Sequence, residues 1–374
     1  MEAQVITIRG QPGSGFHFGQ RGVSQEESAP CPSADTLFAA MIARLAARAP
    51  AAVEPLMEGF PRWLGGDDER AGAPPFLISS AFPFAGEVRF FPKPERDAPA
   101  GTGDAVDPKA AKRLKRVAYV SEHIFRALLE GGALGDWADR ALALQDGQLW
   151  AAPDECDALP EGWCAGREHE PGMLRAWSVE KRPRVTIDRL TNASNIFHSG
   201  CTVYAQGCGM WFAIQWRDPD RMVAGRSVRA WLEQTLDDLA ETGLGGLRAA
   251  GMGACTFTVD ERPLPLPDPD GASWVTLSRY HPRPHEVGCL KSVSAAYRIV
   301  TVGGWVRVEG GSDQRRIPVQ MLAEGSVLGP AGPGPFGDVV DARPRYGNPD
   351  GDVNHPVWRY GLAFPVGMRE GGAP

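Results

Sequence analysis

The segment Arg226–Val259, "RSVRAWLEQTLDDLAETGLGGLRAAGMGACTFTV", contains three successive structural signals. Its first part places apolar residues on one side at helical spacing, which predicts an amphipathic helix. Gly243 follows this helix, as is typical of a helix C-terminus. The last part, "CTFTV", has the alternation of a strand. The segment therefore predicts a helix, a glycine-rich loop over Gly243–Gly253 and a strand.

The glycine-rich loop does not match the common nucleotide-binding motifs. No Gly-Lys-Ser/Thr follows the glycines, and Arg248 stands where a dinucleotide fingerprint needs its last glycine. The loop also leaves a helix instead of entering one, so the positive end of the helix dipole is directed elsewhere. Two interpretations remain. One is a flexible turn, and the other is a main chain that approaches another backbone closely and directs N–H groups at an anion such as a polymeric phosphate.

Upstream of this segment, the pattern predicts a strand, a helix and two more strands. "QVITIR" alternates as a first strand does, and Gly10–Ser33 predicts a long excursion. A helix is expected to begin at Ser33 or Asp35, because either side chain can cap "DTLFAAMIARLAAR". "PFLISSAFPF" and "EVRFFPKP" predict two strands joined at Ala85 and Gly86.

The middle of the chain contains a basic block and an irregular section. One helix is predicted from Lys109 to Leu129, and its first turns contain Lys112, Arg113, Lys115 and Arg116. The irregular section Ala133–Glu170, with three tryptophans, predicts an insertion. "RVTIDR", "CTVYAQ" and "MWFAIQW" then predict strands, the first two joined by the loop Leu190–Gly200.

The order of these elements predicts the fold. Without the insertions it is βαββαβ, which fits a ferredoxin-like (RRM-like) unit with two helices on one face of an antiparallel sheet. The proline-rich "ERPLPLPDPDGAS" that follows predicts a linker, because proline is excluded from central strands and helix interiors. We therefore expect an α+β protein with a first domain over residues 1–260 and a smaller, mostly β domain over 261–374.

Composition limits the function classes. The chain has 374 residues and a net charge of −7, so overall electrostatics do not indicate a nucleic-acid-binding protein, although its basic groups could form a local basic face. It lacks a long apolar run and a signal-peptide pattern, from which we expect a cytoplasmic protein. The seven cysteines are scattered without a C-x-x-C pair, which favours reduced thiols and disfavours a zinc site.

Several segments resemble one family of RNA-binding proteins. The spacing G-x-G-x5-G-x-G before the last strand of a βαββαβ unit is similar to the glycine-rich loop of the RAMP superfamily, the RNA-binding subunits of CRISPR effector complexes. "SADTLFAAMIARL" resembles the first helix of the type III-A (Csm) subunit that binds the 5′ handle of the crRNA. "RVTIDRLTNASNIFHSGCTVYAQGCGMWF" resembles its thumb hairpin, and its C-terminal strands resemble "GGWV", "MLAEGSVL", "GDVVDARP" and "HPVWRYGLAFPV".

The resemblance favours the handle-binding subunit over the repeated backbone subunit, because the chain lacks the Pro-Gly-Ser-Ser-Leu-Lys-Gly of the latter. It implies a non-catalytic scaffold with a degenerate ferredoxin-like second domain. The implied partners are the crRNA 5′ handle, a large polymerase-like subunit and a backbone RAMP subunit. It implies no cofactor, metal or membrane.

The residues expected to contact RNA lie in three places. Glycines would allow close approach of the RNA backbone, and an arginine in the same loop would bind phosphate. These residues are Gly243, Gly245, Gly246, Arg248, Gly251 and Gly253 in the loop, Arg184, Arg189, Asn192, Ser194 and Asn195 in the strand and thumb, and His17 and Phe18 in the excursion. Phe18 as a core residue, and turn chemistry for the thumb residues, are the competing interpretations. The four cations Lys112, Arg113, Lys115 and Arg116 would line the RNA path or face an acidic partner.

Two alternative functions compete with the scaffold interpretation. Relatives in the superfamily cleave precursor crRNA without metal, for which a general base and acid are needed. His17 and His198 are candidates, and His281, Arg283 and His285 form a second group, but no spacing defines a catalytic pair. A plain RRM module is disfavoured, because no RNP-like aromatic strand is present.

Overall fold

The computed structural model describes residues 1–19, 26–65, 68–70, 72–96, 108–164, 174–188, 190–191, 193–270, 273–306, 313–330, 332–345 and 353–369. The helices are α1 Ala34–Arg48, α2 Pro50–Met57, α3 Pro108–Arg116, α4 Glu122–Leu129 and α5 Val228–Thr242. Shorter 3-10 helices span Leu134–Trp137, Gln145–Gly147, Pro153–Ala158, Arg248–Ala250 and Pro284–Lys291.

The strands of the first two thirds of the chain are β1 Glu2–Gly10, β2 Arg62–Gly65, β3 Asp68–Arg70, β4 Phe76–Ile78, β5 Phe82–Ala85, β6 Val88–Pro92, β7 Tyr119–Ser121, β8 Leu142–Leu144, β9 Leu149–Ala151, β10 Trp177–Ile187, β11 Ser194–Tyr204, β12 Cys208–Trp216, β13 Met222–Val223, β14 Arg226–Ser227 and β15 Cys255–Val259. Those that follow are β16 Leu264–Pro265, β17 Trp274–Thr276, β18 Ile299–Val302, β19 Trp305–Val306, β20 Gln314–Arg315, β21 Val319–Leu322, β22 Val327–Leu328, β23 Val339–Asp341, β24 Trp358–Tyr360 and β25 Pro365–Gly367.

One large sheet organises the first 260 residues. Its order is β15-β1-β12-β5-β6-β7-β9-β8, with β16 also paired to β1 and β4 to β12. All pairs are antiparallel except β7 with β9. Ile6 of β1 lies opposite Phe212 on one side and Val259 on the other, so the first predicted strand is central.

Helices α1 and α5 pack against each other and against this sheet. The apolar stripe predicted for α1 is confirmed, since Leu37, Phe38, Met41 and Leu45 are buried. Leu239 of α5 is also buried, and burial of each such leucine contributes about 1.5–3 kcal/mol.

The single helix predicted from Lys109 to Leu129 is wrong. The segment forms α3 and α4, separated by β7, which pairs with β6 on one side and β9 on the other. The apolar run "VAYV" carries β-branched and aromatic residues, which favour a strand, and Val117 and Val120 are buried. Helical spacing on both sides concealed this short strand.

The predicted insertion is part of the sheet. Its strands β8 and β9 extend the sheet beyond β7, and Trp137 and Trp150 are buried. Cys156 and Cys164 are joined by a disulfide, so the expectation of reduced thiols is wrong for this pair. Five cysteines are free. In the described part of the chain, no group of His, Cys, Asp or Glu side chains is suited to a metal ion.

Strands β10 and β11 form a long hairpin, the thumb hairpin, with Trp177 opposite Tyr204 and Ile187 opposite Ser194. The predicted loop Leu190–Gly200 is therefore too long, since β11 begins at Ser194. The alternation of side chains explains the difference: Ile196 lies opposite Val185, and the next residue, Phe197, lies opposite Arg184.

The C-terminal part is mostly β, as predicted. Strands β22, β17 and β25 form a three-stranded sheet, and smaller pairs surround it. Among the described residues after position 260, the single helical element is the 3-10 helix Pro284–Lys291. The main hydrophobic core contains residues from both sides of position 260, and the rings of Phe38 and Tyr360 are 5.0 Å apart.

None of the helices in the described ranges is long and apolar enough to cross a membrane.

Candidate nucleic-acid interface

The glycine-rich loop Gly243–Gly253 connects α5 to β15, as the sequence predicts. Gly243 ends the helix with a φ of 83°, and its N–H donates to the Leu239 carbonyl at 2.8 Å. The N–H of Leu244 donates to the carbonyl of Gly253 at 2.9 Å and closes the loop. Leu244 and Met252 are buried and anchor both ends. The loop is thus a closed, packed structure, and the interpretation as a flexible turn is not supported.

Most of the glycines meet the protein's own backbone. The N–H of Gly246 donates to the His17 carbonyl at 2.9 Å, and that of Gly253 donates to the Gly15 carbonyl at 2.8 Å. A Cβ at Gly245 would lie 2.8 Å from the His17 oxygen. We expected these glycines to admit an RNA backbone, but the close approach seen for Gly245, Gly246 and Gly253 is to the excursion after β1.

The outer part of the loop is open. Residues 248–251 are exposed, and a Cβ at Gly251 would meet nothing within 4 Å. Leu247 has a left-handed backbone with a φ of 55°, and Arg248 begins a turn of 3-10 helix. The N–H groups of Leu247 and Arg248 have no acceptor in the described part of the chain. Successive N–H groups in left- and right-handed conformations form a concave anion-binding nest.

Arg248 extends from this nest without a carboxylate partner among the residues described. Partial desolvation, followed by the positive charge of Arg44, lowers the pKa of its guanidinium. It remains charged at neutral pH, because an arginine has an ordinary pKa above 12. A free guanidinium beside free N–H groups can bind a phosphate with two parallel hydrogen bonds.

The thumb hairpin contacts this loop through Arg184. Its guanidinium donates to the carbonyl of Ala250 at 3.2 Å. Arg182 lies two residues away on the same face but pairs with Glu180 at 3.1 Å. Ser194 and Asn195 are exposed at the far end of β11. Arg189 and Asn192 lie outside the described residues, and the strand predicted over "RVTIDR" ends at Ile187.

The opposite face of the thumb hairpin is apolar. Val185 and Ile196 lie directly opposite each other and are 56% and 65% exposed, and Ile187, on the same face, is 63% exposed. Towards its base this face carries Lys181, which pairs with Glu26 at 3.0 Å. The hairpin therefore presents a polar, basic face to the glycine-rich loop and an apolar face away from it.

His17 and Phe18 have different environments. Phe18 is buried and stacks on Phe16 at 5.4 Å, so its interpretation as a core residue is the correct one. His17 is half-buried between the loop and the base of the thumb hairpin, where its Nδ1 donates to the Gly200 carbonyl at 2.8 Å. In the neutral imidazole this bond leaves Nε2 as an acceptor.

The basic block of α3 lies far from the loop. Lys112, Arg113, Lys115 and Arg116 are exposed, and Arg113 approaches Asp139 at 3.7 Å. Helix α3 precedes β7, which lies five strands from β15, a separation of about 24 Å at about 4.8 Å per strand. The structure therefore does not bring these cations into the site around Arg248.

Two charged residues of α1 were missed by sequence reasoning. Arg44 lies near Arg248, and its Nε is buried without a hydrogen-bond partner. Asp35, predicted as a possible cap and as part of the first-helix resemblance, is buried and bound by Arg279 at 3.2 Å and Arg359 at 3.3 Å. The chain separates Asp35 from both arginines by more than 240 residues, so no local pattern could reveal these contacts.

Known proteins support the resemblance noted in the sequence. Residues 269–368 match the CRISPR Csm4 C-terminal domain model. The chain is 27% identical over 345 residues to a Csm4 protein of Thermococcus onnurineus (strain NA1), and the match covers 90% of this chain and 91% of that protein. Residues 269–368 thus resemble the Csm4 C-terminal domain, and the chain as a whole is similar to a Csm4 protein.

Solved structures support a shared Csm4-type fold. A chain of the Csm3–Csm4 subcomplex of a type III-A CRISPR–Cas interference complex superposes with a TM-score of 0.65 at 14% identity, covering 98% of this chain and 99% of that one. A chain of a Csm1–Csm4 cassette in complex with pppApA gives 0.52 at 21% identity, covering 99% and 98%. The mixed α+β architecture with one large sheet agrees with these folds.

Proposed function

We propose that this chain is a non-catalytic scaffold subunit of a type III-A CRISPR effector complex that holds the 5′ handle of the crRNA. The observation that carries the proposal is the open part of the glycine-rich loop, where an unpaired Arg248 projects beside two free N–H groups. Single-stranded RNA is held mainly through its phosphates by such groups. The similarity to Csm4 proteins supports crRNA as the RNA concerned.

The path of the RNA follows from the groups around this nest. Arg184 lies on the face of the thumb hairpin that meets the loop, and its bond to Ala250 leaves other guanidinium donors for a second phosphate. His17 offers an acceptor nitrogen at the base of the hairpin, which suits a 2′-hydroxyl or an exocyclic amine. Asn195 lies on the same face as Arg184 and extends this polar surface outward, whereas Ser194 lies opposite Ile187 on the other face. The strand would therefore cross the loop and continue beneath the hairpin.

The glycines have a supporting role in this proposal. Their lack of a Cβ allows the excursion after β1 to press against the loop at Gly245, which fixes the direction of the exposed turn. Gly251 is the position where a ligand backbone has room to approach. The fold thus supplies a rigid anion-binding turn in place of a flexible one.

The partners proposed are a Csm1-type large polymerase-like subunit and a Csm3-type backbone RAMP subunit, the proteins found with Csm4 in the related complexes. Two surfaces are free to meet them. One is the apolar face of the thumb hairpin around Val185 and Ile196, and the other is the basic face of α3 around Lys112 and Lys115. Each is solvent-exposed in the isolated chain, and an apolar patch of this kind is typical of an interaction surface.

The domain organisation proposed is two ferredoxin-like units, 1–260 and 261–374. The sheet order β15-β1-β12-β5 with α1 and α5 packed together supports a βαββαβ unit for the first. The family model that covers 269–368 supports a boundary near Glu261.

Metal-independent RNA cleavage is not favoured by the geometry. His17 uses Nδ1 to bind Gly200, whereas His198 shares a face with Lys181, opposite the face that contacts the loop. In the second histidine group, His281 binds the buried Asp338 at 2.6 Å and Arg283 binds the buried Glu286 at 2.7 Å, which indicates structural roles.

The proposal is tested by protection of the crRNA. The complex is assembled with Csm1- and Csm3-type partners, and its handle nucleotides are probed with a single-strand ribonuclease in EDTA. Protection with intact chain and loss of protection in Arg248→Ala are expected. Handle nucleotides equally accessible in complexes with and without this chain would contradict the proposal, and site-specific cleavage of repeat RNA that His17→Ala abolishes would favour the enzyme.

A further inference from the structure

Arg44 lies on α1 one turn before Arg48, and this position determines what it faces. Arg48 pairs with Asp238 of α5, with Nε 2.8 Å from one carboxylate oxygen. The positive charge of Arg44 acts on the carboxylate of Asp238 and on the guanidinium of Arg248, so Arg44 lies between α5 and the glycine-rich loop.

The side chain of Arg44 lacks the partners that a half-buried guanidinium normally has. Its Nε is buried without a hydrogen bond, and it forms no ion pair within the described part of the chain. Asp238 attracts Arg44, but the hydrogen bonds of this carboxylate come from Arg48 and Gln234, and the Arg48 hydrogen bond is the main cause of its lowered pKa. Buried polar groups are usually paired, so an unpaired guanidinium indicates a missing ligand.

Arg248, in the glycine-rich loop, also lacks an ion-pair partner among the residues described. Neither arginine has a carboxylate within 4 Å among the residues described, although their charges repel each other. Two like charges held close together in a partly desolvated place cost free energy, and an anion between them would offset that cost. The free N–H groups of Leu247 and Arg248 lie at the same place.

We propose that Arg44 and Arg248 together bind one backbone phosphate of the RNA, which also accepts hydrogen bonds from the turn at Leu247. This inference rests on the proposed function and adds to it a ligand from α1. The unpaired Nε of Arg44 and the planar fork of Arg248 each offer donors to a tetrahedral anion, and a phosphate has enough oxygens to accept from both. A bound phosphate would thus connect α1 to the loop.

The test measures RNA affinity and its salt dependence for the full chain. The probe is a fluorescein-labelled eight-nucleotide oligouridine, because a phosphate contact carries no base specificity. Arg44→Gln should weaken binding about tenfold and reduce the slope of log K against log salt by about 0.7. Arg44→Lys should restore the slope. The matched control is Arg48→Gln, one turn away and already paired with Asp238, which should leave affinity within about twofold.

Combining the variants locates the phosphate. If both arginines bind the same phosphate, the double variant Arg44→Gln with Arg248→Ala should lose less RNA affinity than the product of the two separate fold-losses. Without RNA, Arg44→Gln should keep or raise the Tm, because it removes a repulsion. A lowered Tm with unchanged affinity and slope would assign Arg44 a purely structural role and overturn the inference.

The results distinguish failure of the shared phosphate from failure of the RNA-binding loop. If Arg248→Ala weakens RNA binding and Arg44→Gln does not, the shared phosphate is wrong and the RNA-binding loop stands. If the intact chain fails to bind the oligouridine and also leaves the crRNA handle unprotected in the assembled complex, both are wrong.

Discussion

Asp35, in the first turn of α1, accepts a hydrogen bond at 3.3 Å from Arg359, which lies on β24 near the other end of the chain. Arg279 binds the same carboxylate at 3.2 Å and approaches Glu324 at 3.6 Å. Asp35 is the acidic residue of the "SADTLF" segment, which resembles the first helix of the type III-A subunit. Its role in the structure is to fix the first helix to the C-terminal part, and the helix also carries Arg44 towards the loop.

The first prediction concerns this buried carboxylate. Asp35→Asn leaves the guanidinium of Arg359 buried without its counter-ion, so we expect the free energy of unfolding to fall by about 3–5 kcal/mol. Denaturant unfolding measures the loss. Asp139→Asn is the matched control, since that carboxylate is 97% exposed and should change stability by less than about 1 kcal/mol. Equal effects of the two substitutions would refute a structural role for Asp35.

The second prediction separates two glycines of the same loop. A Cβ at Gly245 would lie 2.8 Å from the His17 oxygen at a φ of 97°, whereas one at Gly251 would meet nothing within 4 Å at a φ of 80°. Gly251→Ala should therefore lower the free energy of unfolding only by the strain of a left-handed alanine, about 1–2 kcal/mol. Gly245→Ala should lower it by more, because its Cβ would also clash with the His17 oxygen. Thermal unfolding of both variants tests this order. If Gly251→Ala is the more destabilised variant, the close packing of Gly245 against the His17 carbonyl is refuted.

The third prediction uses two arginines on one face of the thumb hairpin. Arg184 contacts the loop carbonyl of Ala250, whereas Arg182 is paired with Glu180. Arg184→Ala should weaken oligouridine binding about tenfold, whereas Arg182→Ala should leave the affinity within about twofold. Fluorescence anisotropy measures both affinities. The reverse order would place the RNA elsewhere on the hairpin.

The fourth prediction concerns the free cysteines. Burial raises the pKa of the Cys31, Cys208 and Cys255 thiols to about 12. At pH 8 these thiols stay protonated in the folded chain, so iodoacetamide should modify them only after unfolding, as intact mass spectrometry can show. Above pH 9 the unfolded thiols ionise first, so their contribution to stability should decline as the pH rises. Rapid modification of the native protein at Cys208 would contradict this burial.

The sequence predicted the parts of the fold that carry strong periodicity. The stripe of α5, the alternation of β1 and the glycine at the end of α5 are local signals, and each element lies where it was expected. The strand β7 was missed because three residues between two helical patterns carry little signal. The thumb loop was predicted too long because polar Ser194 and Asn195 obscured the alternation that begins beside them.

Only part of the candidate site was predicted, because only local signals are visible in the sequence. Arg248 stood out because an arginine replaced an expected glycine. Which glycines face the protein and which face solvent depends on the excursion around His17, which lies more than 220 residues earlier in the chain. Arg44 gave no signal, because an arginine on the polar side of a helix is ordinary until the neighbouring charges are known.

Handle binding by this chain is tested most directly by a crosslink between the crRNA handle and the protein. 4-Thiouridine is placed in the 5′ handle, the complex is assembled with Csm1- and Csm3-type subunits and irradiated, and crosslinked peptides are identified by mass spectrometry. Binding of the handle at the glycine-rich loop predicts crosslinks within Gly243–Gly253 and the adjoining strands β10 and β11. Handle crosslinks confined to the partner subunits, with none in those segments, would contradict it.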